Sequence, residues 1–281
     1  MSIYIHLIIA SLFWGLNVIV MKLLLKHIPF LLLAFLRVVL SFICLYIYMR
    51  FKKIKIERIE FKKILLISIF GIYLNFLFTF YGMQHVKGVD NAFINALSPV
   101  ITLVISYFLL GHKLIKKEIF AVLVSFLAFL LSIHFQIFSL KLGFYLMVLG
   151  VFCYMISNVL LQKWDIKNSI HYTFYQLGIG AILLFVHTLL AGKFRIFDIN
   201  LSIYYWLLFI VISGIGFAYI QIIYMKASKR IGALKTSFFL SLNPIVTYVA
   251  SVFILNEELD YLHLLSFGLL MIAVIIVKGK N

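Results

Sequence analysis

The chain has 281 residues, of which 65% are hydrophobic and 12% are charged, and its mean hydropathy is +1.14. Soluble domains carry about 25% charged and 45–50% apolar residues, so this composition excludes a soluble globular protein and indicates a polytopic membrane protein. The net charge of +16 does not indicate nucleic-acid binding. Almost all basic residues fall at the ends of apolar segments, where membrane topology and anionic headgroups account for them.

Ten apolar segments of 17 to 23 residues follow one another along the chain, and they are predicted to be spans 1 to 10. This length suits α-helices that cross about 30 Å of hydrocarbon, whereas the strict alternation of β-barrel strands is absent. The predicted spans are Ile3–Leu25, Phe30–Met49, Ile64–Met83, Ala92–Leu110, Ile119–Ile137, Leu142–Leu161, Ile170–Leu190, Ile203–Met225, Thr236–Leu255 and Tyr261–Val277.

The distribution of lysine and arginine between the connections predicts the orientation of the chain. With the amino terminus in the cytoplasm, the cytoplasmic loops and tail hold 18 of these residues, seven of them between Arg50 and Lys63, and the opposite face holds six. Short loops rich in Lys and Arg stay in the cytoplasm. We therefore expect a multi-pass protein of the inner or plasma membrane with both termini in the cytoplasm.

Internal duplication is visible at several Pro, Gly, Asn, Ser and Thr positions of the spans. The stretch 95–114 recurs 145 residues later at 240–259, and its shared proline is informative because the chain has only three prolines. Repeats of this kind indicate a fold built from two similar units. The repeated positions include Pro99 and Pro244, Thr102 and Thr247, Ser106 and Ser251, Asn17 and Asn158, and Gly71 and Gly214.

These matches predict an all-α membrane protein with ten transmembrane helices in two inverted five-helix repeats. The first repeat covers residues 1–137 and the second covers residues 142–281. Because five is an odd number, the second repeat crosses the membrane in the opposite sense to the first. Inverted repeats are typical of secondary transporters, whose substrate site lies near the middle of the membrane, where the halves face each other.

The motifs of the chain resemble the EamA family of the drug/metabolite transporter superfamily along its whole length. Span 1 has Trp14-Gly15 followed by Lys22, and Pro29 and Arg37 come next. Spans 4 and 9 contain Leu-Ser-Pro-Val and Leu-Asn-Pro-Ile, and they end in Leu-Gly-His-Lys-Leu and Leu-Asn-Glu-Glu-Leu. The family usually has Leu-Gly-Glu at the end of span 4, where this chain has His112, while Glu257 keeps the acid in the second copy.

This resemblance implies a bundle of ten helices that moves a small metabolite by alternating access. It implies an amino acid or a related compound as substrate, moved by export or exchange, and no cofactor. The expected partners are the substrate and the lipid bilayer, without nucleic acid. A monomer is expected because one chain contains both halves, and a homodimer remains an alternative.

Polar residues inside the spans recur at steps of three and four, which places them on single helix faces. An asparagine that faces lipid is costly, so these faces are expected to point inward. The alternative is that these side chains only join helices through hydrogen bonds. The candidates for the wall of a substrate cavity are Trp14, Asn17, Asn75, Asn95, Ser98, Tyr154, Asn158, Gln221 and Asn243, with Arg37 as an outlying candidate.

Arg37 is the only formal charge well inside a predicted span. An arginine at that depth needs carbonyl or carboxylate partners or a water-filled cavity. It either binds a substrate carboxylate or pairs with carbonyls at a helix end. Pro99 and Pro244 each remove a backbone donor. Three alternatives follow for these prolines. The carbonyls that they free hold substrate, the kinks that they cause serve as gating hinges, or the kinks are only structural.

None of the nine acidic residues lies inside a predicted span. Coupled carriers usually place a carboxylate near mid-membrane, so we expect facilitative or exchange transport without a carboxylate proton relay. The competing interpretation is a membrane-embedded enzyme or an accessory membrane subunit. An enzyme requires paired carboxylates, a nucleophile or metal ligands, and the eight histidines show no ligand spacing. Asp260 and His263, three residues apart, are interpreted as solvation of a helix end and not as a metal site, which is the alternative for this pair.

Overall fold

The computed structural model describes residues 3–56, 60–86, 93–113, 115–135, 141–164, 169–196, 199–240, 242–255 and 260–278. All regular secondary structure within these ranges is helical. In this part of the chain, seven helices are long and apolar enough to cross a membrane, and Asn95–Leu110 and Tyr261–Val277 are shorter apolar helices. An all-helical membrane protein with several spans is therefore confirmed.

The helices follow the predicted spans closely, and we number them in chain order. They are α1 (Ile3–Leu24), α2 (Phe30–Phe51), α3 (Phe61–Met83), α4 (Asn95–Leu110), α5 (Lys116–Ser132), α6 (Leu142–Lys163), α7 (Ser169–Leu190), α8 (Ile203–Ile231), α9 (Ala233–Leu240 and Asn243–Leu255) and α10 (Tyr261–Lys278).

Two helix ends differ from the prediction for identifiable reasons. Helix α5 ends at Ser132 instead of Ile137, because His134 and Phe135 adopt left-handed φ values of 53° and 57° that a helix cannot continue through. Helix α8 continues past Met225 to Ile231 and ends before a glycine with φ of 90°. The charged last turns of α8 lower its hydropathy, but they are still helical.

Both α3 and α8 contain a π-helical turn at corresponding places in the two halves of the chain. The turns span Ile69–Leu74 and Phe209–Gly216, and each includes one of the duplicated glycines, Gly71 and Gly214. A π turn disturbs the regular pairing of helix carbonyls with amides, so nearby carbonyls need other donors. Turns of this kind are frequent at functional sites.

Side chains from neighbouring helices supply those donors. Asn17 Nδ2 donates to the carbonyl of Ile212 at 2.9 Å, and Ser41 Oγ donates to the carbonyl of Ser213 at 2.9 Å. Beside the turn in α3, Ser157 Oγ and Gln176 Nε2 donate to the carbonyl of Ile67 at 3.1 and 3.3 Å. The irregular turns are thus held in place by polar groups of α1, α2, α6 and α7.

The duplicated prolines, Pro99 and Pro244, each lie at the start of an α-helical segment. Pro99 is in the first turn of the α-helical part of α4, after a 3₁₀ turn at Asn95–Leu97. Pro244 is the second residue of the second piece of α9. At such positions the missing N–H has no helical acceptor to lose. Span 9 was predicted as one continuous helix; the structure describes helix up to Leu240 and again from Asn243, with Leu242 in a turn, and residue 241 lies outside the described residues.

Helix packing places the polar stripes of α4 and α9 inside the bundle, as predicted. Helix α1 contacts α8 and α9, α6 contacts α3 and α4, α2 contacts α7, and α5 contacts α10. Glycines permit the close approach of α3 and α6, since a Cβ on Gly150 would collide with Thr79 and the backbone of Asn75. The stripe residues Ser98, Thr102, Asn243, Thr247 and Ser251 are all fully buried.

Candidate functional site

A cavity of about 40 Å³ lies inside the bundle, between α1, α2, α3, α4 and α6. This volume holds a few water molecules, and small-molecule sites usually measure about 300–1,000 Å³. A bound metabolite therefore requires the walls to move apart. The lining residues are Trp14, Asn17, Val18, Met21, Arg37, Asn75, Phe76, Thr79, Phe80, Met83, Asn95, Met147, Val151 and Tyr154.

Arg37 contributes the only charged side chain among these lining residues. It is 7% exposed, and its guanidinium carbon lies 4.1 Å from the ring centre of Phe217, 4.8 Å from that of Phe76 and 5.6 Å from that of Phe80. These distances are within the range of cation–π attraction. No carboxylate of the described residues forms an ion pair with Arg37, and its Nε has no hydrogen-bond partner. The sequence left open that Arg37 pairs with carbonyls at a helix end. In the structure its guanidinium lies against the faces of three phenylalanine rings instead.

Trp14 and Tyr154 of the cavity wall pack together, and behind them lies Tyr224 of α8. The ring of Trp14 lies 5.4 Å from that of Tyr154 and 5.6 Å from that of Tyr224, measured between ring centres. The hydroxyl of Tyr154 donates to Gln221 Oε1 at 3.1 Å. Gln221 itself is outside the cavity lining, so its observed role is to orient Tyr154.

The lining asparagines also join helices. Asn17 uses its Nδ2 for the π turn of α8, while its buried Oδ1 has no hydrogen-bond partner. Asn75 Nδ2 donates to the carbonyl of Gly150 at 2.8 Å and connects α3 to α6. Asn95 is 8% exposed and reaches the cavity from the 3₁₀ turn of α4. Cavity lining and helix joining are therefore combined in the same side chains.

The structure brings Trp14, Asn17, Arg37, Asn75, Asn95 and Tyr154 together around one cavity, and four other candidates lie outside its wall. Asn158 donates to the carbonyl of Tyr154 in its own helix, 3.0 Å away. Ser98 and Asn243 are fully buried, and their side-chain polar atoms have no hydrogen-bond partner among the described residues. The cavity is asymmetric, since α6 is the only helix of the second half that lines it.

Several apolar lining residues were missed by the sequence analysis. Met21, Met83 and Met147 line the cavity together with Phe76 and Phe80. Methionine adapts its shape to irregular spaces. The available signal was spacing, because Met21 lies four residues after Asn17, on the same helix face. Composition alone does not separate such residues from lipid-facing ones.

Glu118 precedes the predicted start of span 5 at Ile119, yet its side chain is buried. Helix α5 begins at Lys116, which places Glu118 in its first turn, where it is 6% exposed. Its Oε2 lies 2.7 Å from His112 Nε2, at the position where the family usually has glutamate. The pair lines a second cavity of about 130 Å³ together with Ser106, Gln162 and Lys235. A buried acid therefore exists, but it lies at a helix end away from the central cavity.

These features define a multi-pass helical membrane protein with a small, partly polar cavity inside its bundle. A model of the EamA-like transporter family matches residues 1–134 and 141–279. The chain belongs to the EamA-like transporter family. This family membership confirms the resemblance seen in the motifs, and it indicates a membrane transporter of the drug/metabolite type and not an enzyme.

Two further comparisons agree with this family. A protein of Bacillus subtilis (strain 168), described as "Uncharacterized transporter YyaM", is 26% identical over 223 residues, which cover 76% of this chain and 71% of the relative. A solved crystal structure superimposes with a TM-score of 0.70 at 14% sequence identity, covering 95% of this chain and 97% of the other. At that identity the likeness shows a shared fold alone.

Proposed function

We propose that the protein is a secondary transporter that moves a small carboxylate-bearing metabolite, such as an amino acid or a related compound, by alternating access. The observation that carries this proposal is the Arg37 guanidinium, which faces the central cavity without a carboxylate partner among the described residues. A buried cation in a membrane protein requires compensating charge. The anionic group of a substrate supplies that charge when the cavity is occupied.

The proposed architecture is ten transmembrane helices in two inverted repeats, at residues 1–137 and 142–281. Three pairs of contacts support it, because they recur when α1–α5 are exchanged with α6–α10. Helix α1 contacts α9 as α6 contacts α4, α2 contacts α8 as α7 contacts α3, and α4 contacts α5 as α9 contacts α10. The paired π turns and the two matches of the family model provide independent support.

The proposed transport cycle begins from a cavity too narrow for substrate. Its volume of about 40 Å³ is too small for a metabolite, so binding requires the helices of one half to move relative to the other. We propose that transport is facilitative or exchange-like, and that the protein exports its substrate or exchanges it for another. The cavity lining has no acidic side chain, which is consistent with transport without a carboxylate relay in the cavity. The basic loops support a cell-membrane protein with both termini in the cytoplasm. We propose that a single chain completes the cycle, because it contains both repeats.

The test is counterflow into proteoliposomes loaded with a mixed pool of amino acids and other small carboxylates. Val151→Phe directs a ring into the cavity, whereas Leu149→Phe adds a similar ring two residues away, at a side chain that is 41% exposed. We expect the wild type and Leu149→Phe to exchange a defined class of carboxylates, and Val151→Phe to lose more than nine tenths of the rate.

Folding of each variant is checked by a single symmetric peak in size-exclusion chromatography. Absence of counterflow by well-folded wild-type protein would contradict the proposed function. Equal rates for the two phenylalanine variants would show that substrate takes another route through the bundle.

A further inference from the structure

A cluster of metal-ligand side chains lies where the end of α5 meets the start of α10, away from the transport cavity. His134 Nε2 lies 2.5 Å from Asp260 Oδ2, and the same oxygen lies 4.0 Å from His263 Nδ1. All three ligand atoms are within 4.8 Å of one another. His134 comes from the first half of the chain and the other two residues come from the second half.

Each side chain of the cluster is oriented by its surroundings. His263 Nε2 donates to the carbonyl of Ser132 at 3.0 Å, which leaves Nδ1 as the basic nitrogen of the neutral ring, on the side of Asp260. A ring N–H that donates to a backbone carbonyl is the usual support of a metal-binding histidine. The ring of His263 also stacks on Phe93, with 5.0 Å between ring centres.

The carboxylate is held equally well. Asp260 Oδ1 accepts from the backbone N–H of Leu262 at 2.9 Å, and the N–H of Asp260 donates to the hydroxyl of Tyr248 at 2.7 Å. These hydrogen bonds hold the carboxylate with its Oδ2 on the side of His134 and His263.

We propose that His134, Asp260 and His263 bind a divalent transition-metal ion of the Zn²⁺ class, which joins α5 to α10. Two imidazole nitrogens and one carboxylate oxygen suit Zn²⁺, whereas Mg²⁺ and Ca²⁺ prefer oxygen ligands. Tetrahedral ligands at about 2.1 Å from Zn²⁺ lie about 3.4 Å apart. The distance of 2.5 Å between His134 Nε2 and Asp260 Oδ2 must therefore increase, and the distance of 4.0 Å between His263 Nδ1 and Asp260 Oδ2 must decrease, each by less than about 1 Å. A water molecule completes a site with three protein ligands.

The experiment uses the purified full-length protein in detergent, stripped of metal by a chelator and titrated with Co²⁺ and then Zn²⁺. We expect one Co²⁺ per chain with visible absorption of a tetrahedral nitrogen and oxygen site, displacement by Zn²⁺, and a higher Tm with Zn²⁺ but not with Mg²⁺. Asp260→Asn keeps the shape and the bond to Leu262, and His134→Asn tolerates the left-handed backbone. Each should weaken Zn²⁺ binding at least tenfold, while His27→Ala, an exposed histidine elsewhere, leaves it unchanged.

Two outcomes would overturn the proposal. One is the absence of saturable Co²⁺ and Zn²⁺ binding by folded wild-type protein, which would identify the cluster as an ion pair alone. The other is Zn²⁺ affinity that is unchanged in both Asp260→Asn and His134→Asn. Neither outcome depends on transport activity, so the proposed function is tested separately.

Discussion

Replacing Arg37 with methionine separates a substrate-binding role of this residue from a structural role. Methionine retains an unbranched apolar side chain that fits among Phe76, Phe80 and Phe217, but it carries no charge. Arg50→Met is the matched control, because Arg50 lies at the exposed end of the same helix.

The structure allows both effects of Arg37→Met to be estimated. Removing one partner of a buried charge pair costs about 2–5 kcal/mol, so binding of an anionic substrate should weaken about 30-fold to several thousandfold. Three buried ring contacts at up to about 2 kcal/mol each are lost from the protein itself. The desolvation cost of a buried cation, about several kcal/mol, is removed at the same time. The two terms are of similar size, so the variant should have a stability close to that of the wild type.

The assay combines concentration-dependent counterflow in proteoliposomes with a thermal melt in detergent. We expect Arg37→Met to lose exchange of the carboxylate substrate without a large decrease in Tm, and Arg50→Met to resemble the wild type in both measurements. The reasoning is refuted if Arg37→Met transports the carboxylate with unchanged half-saturation. A fall in Tm of about 10 °C or more would instead show that the charge is part of the fold, since about 1 kcal/mol corresponds to a few degrees.

Two further predictions concern packing and topology. Gly150→Ala should lower the Tm, because the new Cβ collides with Thr79 and overpacking costs about 1–3 kcal/mol, whereas Gly268→Ala, where a Cβ meets open space, should not. In a variant without native cysteines, a membrane-impermeant maleimide added to intact cells should label Lys193→Cys and spare Lys52→Cys; the reverse pattern would invert the proposed orientation.

The membrane class and most helix boundaries follow directly from the residues. Lipid offers the backbone no hydrogen bonds, so each long apolar segment must form its own helix. The inward direction of the polar stripes also follows, since an asparagine that faces lipid is costly, and the structure buries Asn95 and Asn243. The two halves were recognised from duplicated residues, and the paired π turns at Gly71 and Gly214 fall at one of those duplications.

Which duplicated residues share a site was decided only by tertiary packing. Asn17 and Asn158 are equivalent in sequence, yet Asn17 lines the cavity while Asn158 bonds within its own helix. A repeat predicts equivalent positions in the two halves, but the residues that line the cavity come mostly from the first half. The periodicity of each helix does not reveal this asymmetry. The environment of Arg37 was likewise undetermined, because its three phenylalanines come from α3 and α8.

The cluster of His134, Asp260 and His263 shows the same limit most clearly. The sequence pairs Asp260 with His263 through their spacing, and it gives no reason to add a histidine from the other half of the chain. His134 reaches them because α5 ends early in a left-handed backbone and packs along α10. Local residue patterns determine the helices and the faces they bury, whereas contacts between distant segments depend on how those faces pack, which only the folded bundle decides.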